Sequence, residues 1–146
     1  VAETHDLDPE AFSETRIVIA EEDDIIAARG ITRDVAKWLK FGVVDQSRIA
    51  TAVSELTRNI IRYATASQGE VLVSAITGGV RGVGIEIVVS DAGPGIADVE
   101  QALADGYTSG SGIGLGLPGT RRLMDEMDID SALGRGTRIT IRKWRR

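Results

Sequence analysis

Eight of the chain's seventeen glycines fall between Asp91 and Gly119, directly after the apolar run Val83–Ser90. That strand is followed by a long glycine-rich excursion whose backbone can take left-handed conformations and approach other groups closely. These glycines have no collagen period and form no Gly/Ser linker, so they serve the loops of a packed domain. The 146 residues suit one domain, and 42% hydrophobic against 27% charged residues suffices to bury a core.

Composition removes several chemistries. With no cysteine there is no disulfide framework, thiolate metal site or cysteine nucleophile. The one histidine, His5, stands in a polar leader, which argues against a Ser-His-Asp triad or a multi-histidine metal site. The net charge of -5 is unevenly spread: residues 1–24 hold nine acids and one base, whereas Thr137–Arg146 holds five bases and no acid. Fourteen of the seventeen bases are arginine, which favours bidentate pairing with carboxylate or phosphate. Five charges on one short element usually form a solvated face, so no nucleic-acid partner is expected. No apolar run reaches the roughly 20 residues that span a bilayer and no signal-peptide pattern opens the chain, so no membrane partner is expected and the cytoplasm is the default location. Val1 is not an initiator methionine, consistent with a processed or trimmed start.

Residues 1–14 read as a weakly ordered acidic leader and residues 15–146 as a single domain. Arg16–Ala20 is predicted to be a strand. A helix capped by Asp23 or Asp24 runs to about Lys40, with Ile25, Ile26, Arg29, Val35, Trp38 and Leu39 on its apolar side and the Phe41-Gly42 pair as its stop. A second helix, Asp45–Ala64, carries Ile49, Val53, Leu56 and Ile60 at 4-3-4 spacing. Glu70–Ile76 and Val83–Ser90 form a hairpin about a turn at Thr77–Gly82. A short helix near Asp98–Ala104, a helix from Leu117 to Glu126, a strand near Met127–Ala132, a Gly134-Arg135-Gly136 turn and a strand Thr137–Lys143 complete the chain. Because the central hairpin breaks strand–helix alternation, the expected architecture is a two-layer α/β sandwich with helices on one face of a mixed sheet.

Three groups of residues carry chemical possibilities. Glu55 and Asn59 lie one turn apart on one helix face, with Arg62 and Arg48 on the same side. That set offers a base, a carbonyl ligand for Mg²⁺ and a phosphate clamp, although an ordinary polar face with Glu55–Asn59 and Glu55–Arg58 contacts would look the same. Asp91-Ala92-Gly93-Pro94-Gly95-Ile96 follows a strand. Its aspartate can accept from an exocyclic amine, and Gly93 and Gly95 let backbone approach a planar ligand; a tight turn capped by its own aspartate is the alternative. Gly110–Leu117 precedes a helix and can expose amides to phosphate, yet it lacks the Gly-Lys-Ser/Thr of a Walker A loop and follows no strand as a dinucleotide fingerprint should. A mobile loop without a ligand is the other reading.

Taken in order, Glu55-x-x-x-Asn59, Asp91-x-Gly93-x-Gly95, Gly112-x-Gly114-x-Gly116 and Gly136-Thr137 resemble the GHKL (Bergerat) ATP-binding fold of gyrase-type ATPases, heat-shock-90 chaperones, histidine kinases and MutL. The resemblance implies ATP and Mg²⁺ as cofactors, with Asp91 holding adenine beside Gly93, Gly95 and Ile96, and Thr137 supporting that site through its hydroxyl. It also implies Mg²⁺ on Asn59, phosphates wrapped by Gly112, Ile113, Gly114, Leu115, Gly116 and Leu117, and a lid over Ala97–Ser111. Asn59-Ile-Ile-Arg62-Tyr63 is similar to the N-box of histidine kinases, which implies Arg62 on phosphate and Tyr63 near base or ribose.

The chain offers no dimerising helix with a phosphoacceptor histidine and no room for a transducer domain. The segments Asp24–Arg29, Phe41–Gln46, Ser54–Ile60, Gly116–Gly119, Arg122–Asp125 and Lys143-Trp144 resemble the RsbT-type switch kinases of bacterial stressosomes, from about Arg16 onward. That likeness implies a serine/threonine kinase with Glu55 as catalytic base. Its expected partners are STAS-domain scaffold and antagonist proteins (RsbS-like and RsbR-like) and an RsbU-like PP2C phosphatase that it activates once released. A non-catalytic, nucleotide-responsive partner-switching module and an anti-sigma-factor kinase are the alternatives. Ala97–Ser111 contains no Lys or Arg, so a further cation near the γ-phosphate would come from elsewhere, with Arg121 and Arg122 as candidates.

Overall fold

The computed structural model describes residues 14–64, 68–96, 98–103 and 116–146. Along them run β1 (Thr15–Ile19), α1 (Glu22–Trp38), α2 (Val43–Tyr63), β2 (Gly69–Thr77), β3 (Val83–Asp91), α3 (Val99–Leu103), α4 (Leu117–Leu123), β4 (Glu126–Ala132) and β5 (Gly136–Trp144). A single 3-10 turn, Gly79–Arg81, joins β2 to β3. Nearly all of the expected acidic leader (residues 1–13) lies outside the described residues, as do Gly112, Ile113, Gly114 and Leu115.

The strands form one sheet in the order β1-β2-β3-β5-β4. The two-layer α/β arrangement is as expected, but the sheet is not mixed: all four pairings are antiparallel. For β1 and β2, helix count explains this. One helix between two strands returns the chain parallel to its start. Between β1 and β2 there are two long helices, α1 and α2, and the second reverses direction once more. Strands β3 and β4 do point the same way, yet β5 lies between them, so no parallel ladder forms.

The sheet's two faces follow the period-two alternation of a half-buried strand. Ile17, Ile19, Val71, Val73, Ile85, Ile87, Val89, Ile139 and Ile141 are buried in one cluster with the α2 stripe Ile49, Val53, Leu56 and Ile60. The alternate positions mix polar residues, among them Glu70, Ser74, Glu86, Arg138 and Arg142, with the apolar Val18, Leu72, Ile76 and Val88. Arg142 on β5 donates to Glu86 of β3 (2.7 Å) and to Glu126 of β4 (3.3 Å), the residues opposite it in register.

Helix α1 differs from its predicted detail in two ways. Its N-cap is Glu21, and Asp24 serves as the third helical residue, accepting from the backbone N–H groups of Ala20 (2.8 Å) and Glu21 (3.0 Å). Its buried side is Ile25, Ala28, Thr32, Val35 and Ala36, whereas Ile26 is 72% and Trp38 40% exposed. The small residues Ala28 and Ala36 are fully buried in the core cluster, so the narrow side of α1 faces inward. The left-handed residue that ends α1 is Lys40 (φ 67°), not Gly42, which is the extended N-cap of α2. Phe41 N–H bonds to Ala36 C=O and Lys40 N–H to Lys37 C=O, both at 3.0 Å, and the Phe41 ring is buried. This is the paired hydrogen-bond pattern of a Schellman stop, in which burial of the following apolar residue offsets strain at a non-glycine.

Candidate active site

The apolar stripe of α2 points at the sheet, which leaves the residues at its edge facing the open end between α2 and the tips of β3 and β5. A cavity of about 370 Å³ occupies this position, with Leu56, Ile60, Val89, Leu117 and Ile139 as apolar wall and Asn59, Tyr63, Asp91, Asp98 and Thr137 as polar groups. Apolar lining with a few convergent polar groups is the usual make-up of a small-molecule site. The hydroxyl of Tyr63 is buried and has no hydrogen-bond partner among the described residues. A buried phenol is normally paired, so this one fits a ligand that brings a polar group with it.

The segment after β3 is fixed from two sides. Asp91 accepts from Gly93 N–H at 2.8 Å, forming the tight turn foreseen as an alternative, while its side chain still lines the cavity. Burial pushes the Asp91 carboxyl above its ordinary pKa, and the Gly93 N–H pulls it partly back. From the other side the β4–β5 hairpin grips the loop: Gly134 N–H donates to Pro94 C=O (2.9 Å) and Ile96 N–H to Ser131 Oγ (2.8 Å). Glycine is required here by chain-on-chain packing. A methyl at Gly93 would lie 2.6 Å from Ala64 Cα, and one at Gly95 would overlap the Ala132 carbonyl.

Helix α4 closes the third side. Gly116 is its left-handed N-cap (φ 70°), and a methyl there would lie 2.6 Å from Glu55 Oε2. Glu55 therefore sits where α2 meets the start of α4, at the cavity's edge and not in its lining. Its other oxygen, Oε1, accepts from Arg58 at 2.8 Å, so the helix-face contact foreseen for this carboxylate is formed. Arg62 is exposed and outside the lining, and Arg48 pairs with Asp45 at 3.0 Å. At the far end of α4, the buried Lys143 donates to Leu123 C=O (2.8 Å) with Asp45 and Asp125 each at 3.8 Å.

The structure thus gathers Asn59, Tyr63, Asp91, Gly95, Ile96, Leu117 and Thr137 around one cavity, with Gly93 in the turn behind it. Two contributors were not legible as motifs. Ser131 is signalled only by its register opposite Thr137, and Leu133 only by its place in the hairpin turn. Asn59 offers a single carbonyl oxygen, which suits Mg²⁺, a cation that keeps water and takes phosphate oxygens.

The chain is similar to known proteins over most of its length. The family model described as histidine kinase-, DNA gyrase B-, and HSP90-like ATPase matches residues 44–146. Serine/threonine-protein kinase RsbT of Bacillus subtilis (strain 168) is 47% identical over 129 residues, spanning 88% of this chain and 94% of that protein. An anti-sigma F factor of Clostridium novyi (strain NT) is 35% identical over 98 residues, 65% of this chain and 68% of its own. The catalytic domain of the histidine kinase ThkA superposes with a TM-score of 0.53 at 13% identity, over 92% of this chain and 97% of that one, a likeness of fold alone.

Proposed function

Because the chain belongs to the histidine kinase-, DNA gyrase B- and HSP90-like ATPases, and within them to the RsbT-type serine/threonine-protein kinases, we propose that it phosphorylates a serine or threonine of a STAS-domain partner with ATP. Once released from that partner it activates an RsbU-like PP2C phosphatase. No described helix is long and apolar enough to cross a membrane, and the reading places the reaction in the cytoplasm. Residues 15–146 act as one domain in it.

The observation that carries the reading is the convergence of Asn59, Tyr63, Asp91 and Thr137 on one cavity, with Glu55 at its α4 edge. Bound ATP supplies the phosphoryl group, and bound Mg²⁺ supplies neutralising charge. Asp91 accepts from the exocyclic amine of the base, and Tyr63 donates its hydroxyl, which has no partner among the described residues, toward base or ribose. Asn59 turns its carbonyl oxygen to the cation. Gly112 to Gly116, together with Arg62 at the rim, receive the phosphates. Glu55 takes the proton of the attacking hydroxyl as the new O–P bond forms and the bond to the ADP leaving group breaks. Its Oε2, beside Gly116, remains available while Arg58 holds Oε1.

Incubation of the full chain with ATP, Mg²⁺ and a STAS partner tests this. Glu55→Ala is expected to slow transfer by about 10²–10⁴-fold with ATP affinity kept, as for loss of a general base. Transfer by Glu55→Ala at the wild-type rate would remove Glu55 from its role; no transfer by wild type would remove the kinase reading. The likeness to anti-sigma F factors supports a second reading, a sigma-factor partner at the same nucleotide site. A pull-down scored for sigma factor against STAS protein separates the two.

A further inference from the structure

Ser131 belongs to none of the nucleotide motifs, yet its hydroxyl is a three-way junction beside the cavity. It accepts from Ile96 N–H at 2.8 Å, lies 2.9 Å from Gly136 C=O, and lies 2.8 Å from Thr137 Oγ1. A serine hydroxyl has one proton and two lone pairs. The Ile96 amide can only donate and the Gly136 carbonyl can only accept. Ser131 therefore gives its proton to Gly136 and one lone pair to Ile96, and the lone pair that remains faces Thr137. Thr137 must then be the donor in the hydroxyl pair, and its proton is consumed there.

The consequence reaches the cavity. Thr137 lines it directly opposite Asp91 in the β3–β5 register. With its proton turned to Ser131, Thr137 offers the cavity only lone pairs, and an ionised Asp91 likewise only accepts. Two neighbouring acceptors match an exocyclic amine, which has two N–H groups, and repel a keto oxygen, which has none. We infer that Ser131 is a positioning residue that locks Thr137 as an acceptor and so makes the site select a 6-amino purine nucleotide over a 6-keto one.

This rests on the ATP reading above, and binding titrations with ATP and inosine triphosphate test the two separately. Wild type is expected to prefer ATP. Freeing Thr137 to rotate and donate to the keto oxygen should shrink the ATP/ITP affinity ratio in Ser131→Ala by about three- to tenfold, the range of one net hydrogen bond. Ser131→Thr, which keeps the hydroxyl, should restore the ratio. In a Thr137→Val background Ser131→Ala should leave it unchanged. A merely structural serine would weaken both nucleotides together, so an unaltered ratio in Ser131→Ala overturns the inference while the ATP reading stands. A changed ratio in the Thr137→Val background overturns it too. Wild type binding neither nucleotide sinks both. If Ser131→Ala does not fold, Ser131→Cys carries the same comparison, since a thiol is a weak donor and acceptor.

Discussion

Gly134 and Gly136 form a matched pair for testing what the glycines around the site do. Both have left-handed backbones, with φ of 81° and 80°. A methyl at Gly134 meets nothing within 4 Å, whereas one at Gly136 overlaps the Asp91 carbonyl and lies 2.9 Å from Ala92 Cα. Gly134→Ala therefore isolates the backbone term: about 1–2 kcal/mol of left-handed strain, partly offset by about 0.4–1 kcal/mol from a less flexible unfolded chain. Gly136→Ala adds overpacking against backbone that cannot rotate away, about 1–3 kcal/mol more. At about 2–4 °C per kcal/mol for a chain of this size, Tm should fall by about 3 °C for Gly134→Ala and about 6–12 °C for Gly136→Ala. Because the overlap lands on Asp91, Gly136→Ala should also weaken ATP binding by about tenfold, the worth of one hydrogen bond to a charged group, and Gly134→Ala should not. Thermal unfolding and nucleotide titration read the two effects. Equal destabilisation by the two variants would refute the steric argument. Full ATP affinity in a strongly destabilised Gly136→Ala would refute the link to Asp91.

Lys40→Gly should raise Tm, with a net gain of about 0.5–1 kcal/mol as strain at φ 67° is relieved; a lower Tm would mean that the α1 stop tolerates lysine without cost. Lys143→Met leaves the Leu123 carbonyl without its partner and Asp125 and Asp45 without their shared cation. Loss of about 3 kcal/mol in urea unfolding is expected, and a loss below about 1 kcal/mol would show the contact to be peripheral. For Asp91 the folded-state pKa is raised, so the native chain holds this proton more tightly than the unfolded one and loses stability as pH rises through its titration. Asp91→Asn should remove that part of the pH dependence and unfold at a higher temperature than wild type at neutral pH, while binding ATP at least about tenfold more weakly. A variant less stable than wild type at neutral pH would contradict the sign.

What could be read from the chain alone was local. The 4-3-4 stripe of α2, the β2–β3 hairpin and the Gly134–Gly136 turn need only periodicity and turn chemistry, and each stands within a few residues of its expected bounds. Asp91, Asn59 and Thr137, which line one cavity, stand out in the sequence because their neighbours form recognisable spacings. What escaped depends on contacts between distant segments. Insertion of β5 between β3 and β4 is invisible to any window shorter than the sheet itself, and it is what keeps these two like-directed strands from pairing in parallel. The exposure of Ile26 and Trp38 reflects a choice between two apolar sides of α1 that periodicity leaves open. Gly42, two residues beyond Lys40, is the better left-handed residue in isolation; burial of Phe41 favours the stop at Lys40 instead. Ser131 becomes significant only once register places it opposite Thr137.

The central place of β5 also sets an order in time. Of the described strands it is the last to leave the ribosome, yet β4 has no other partner and β3 has no other neighbour on that side. A nascent chain that stops short of residue 136 can form β1-β2-β3 and their helices, but it exposes the hydrogen-bonding edge of β3 to any other strand nearby. It also lacks Thr137 and the hairpin that grips the Pro94–Ile96 segment. The cavity therefore comes into being only once β5 has joined the sheet. A nucleotide that binds it can stabilise the chain from that point on but cannot guide it before.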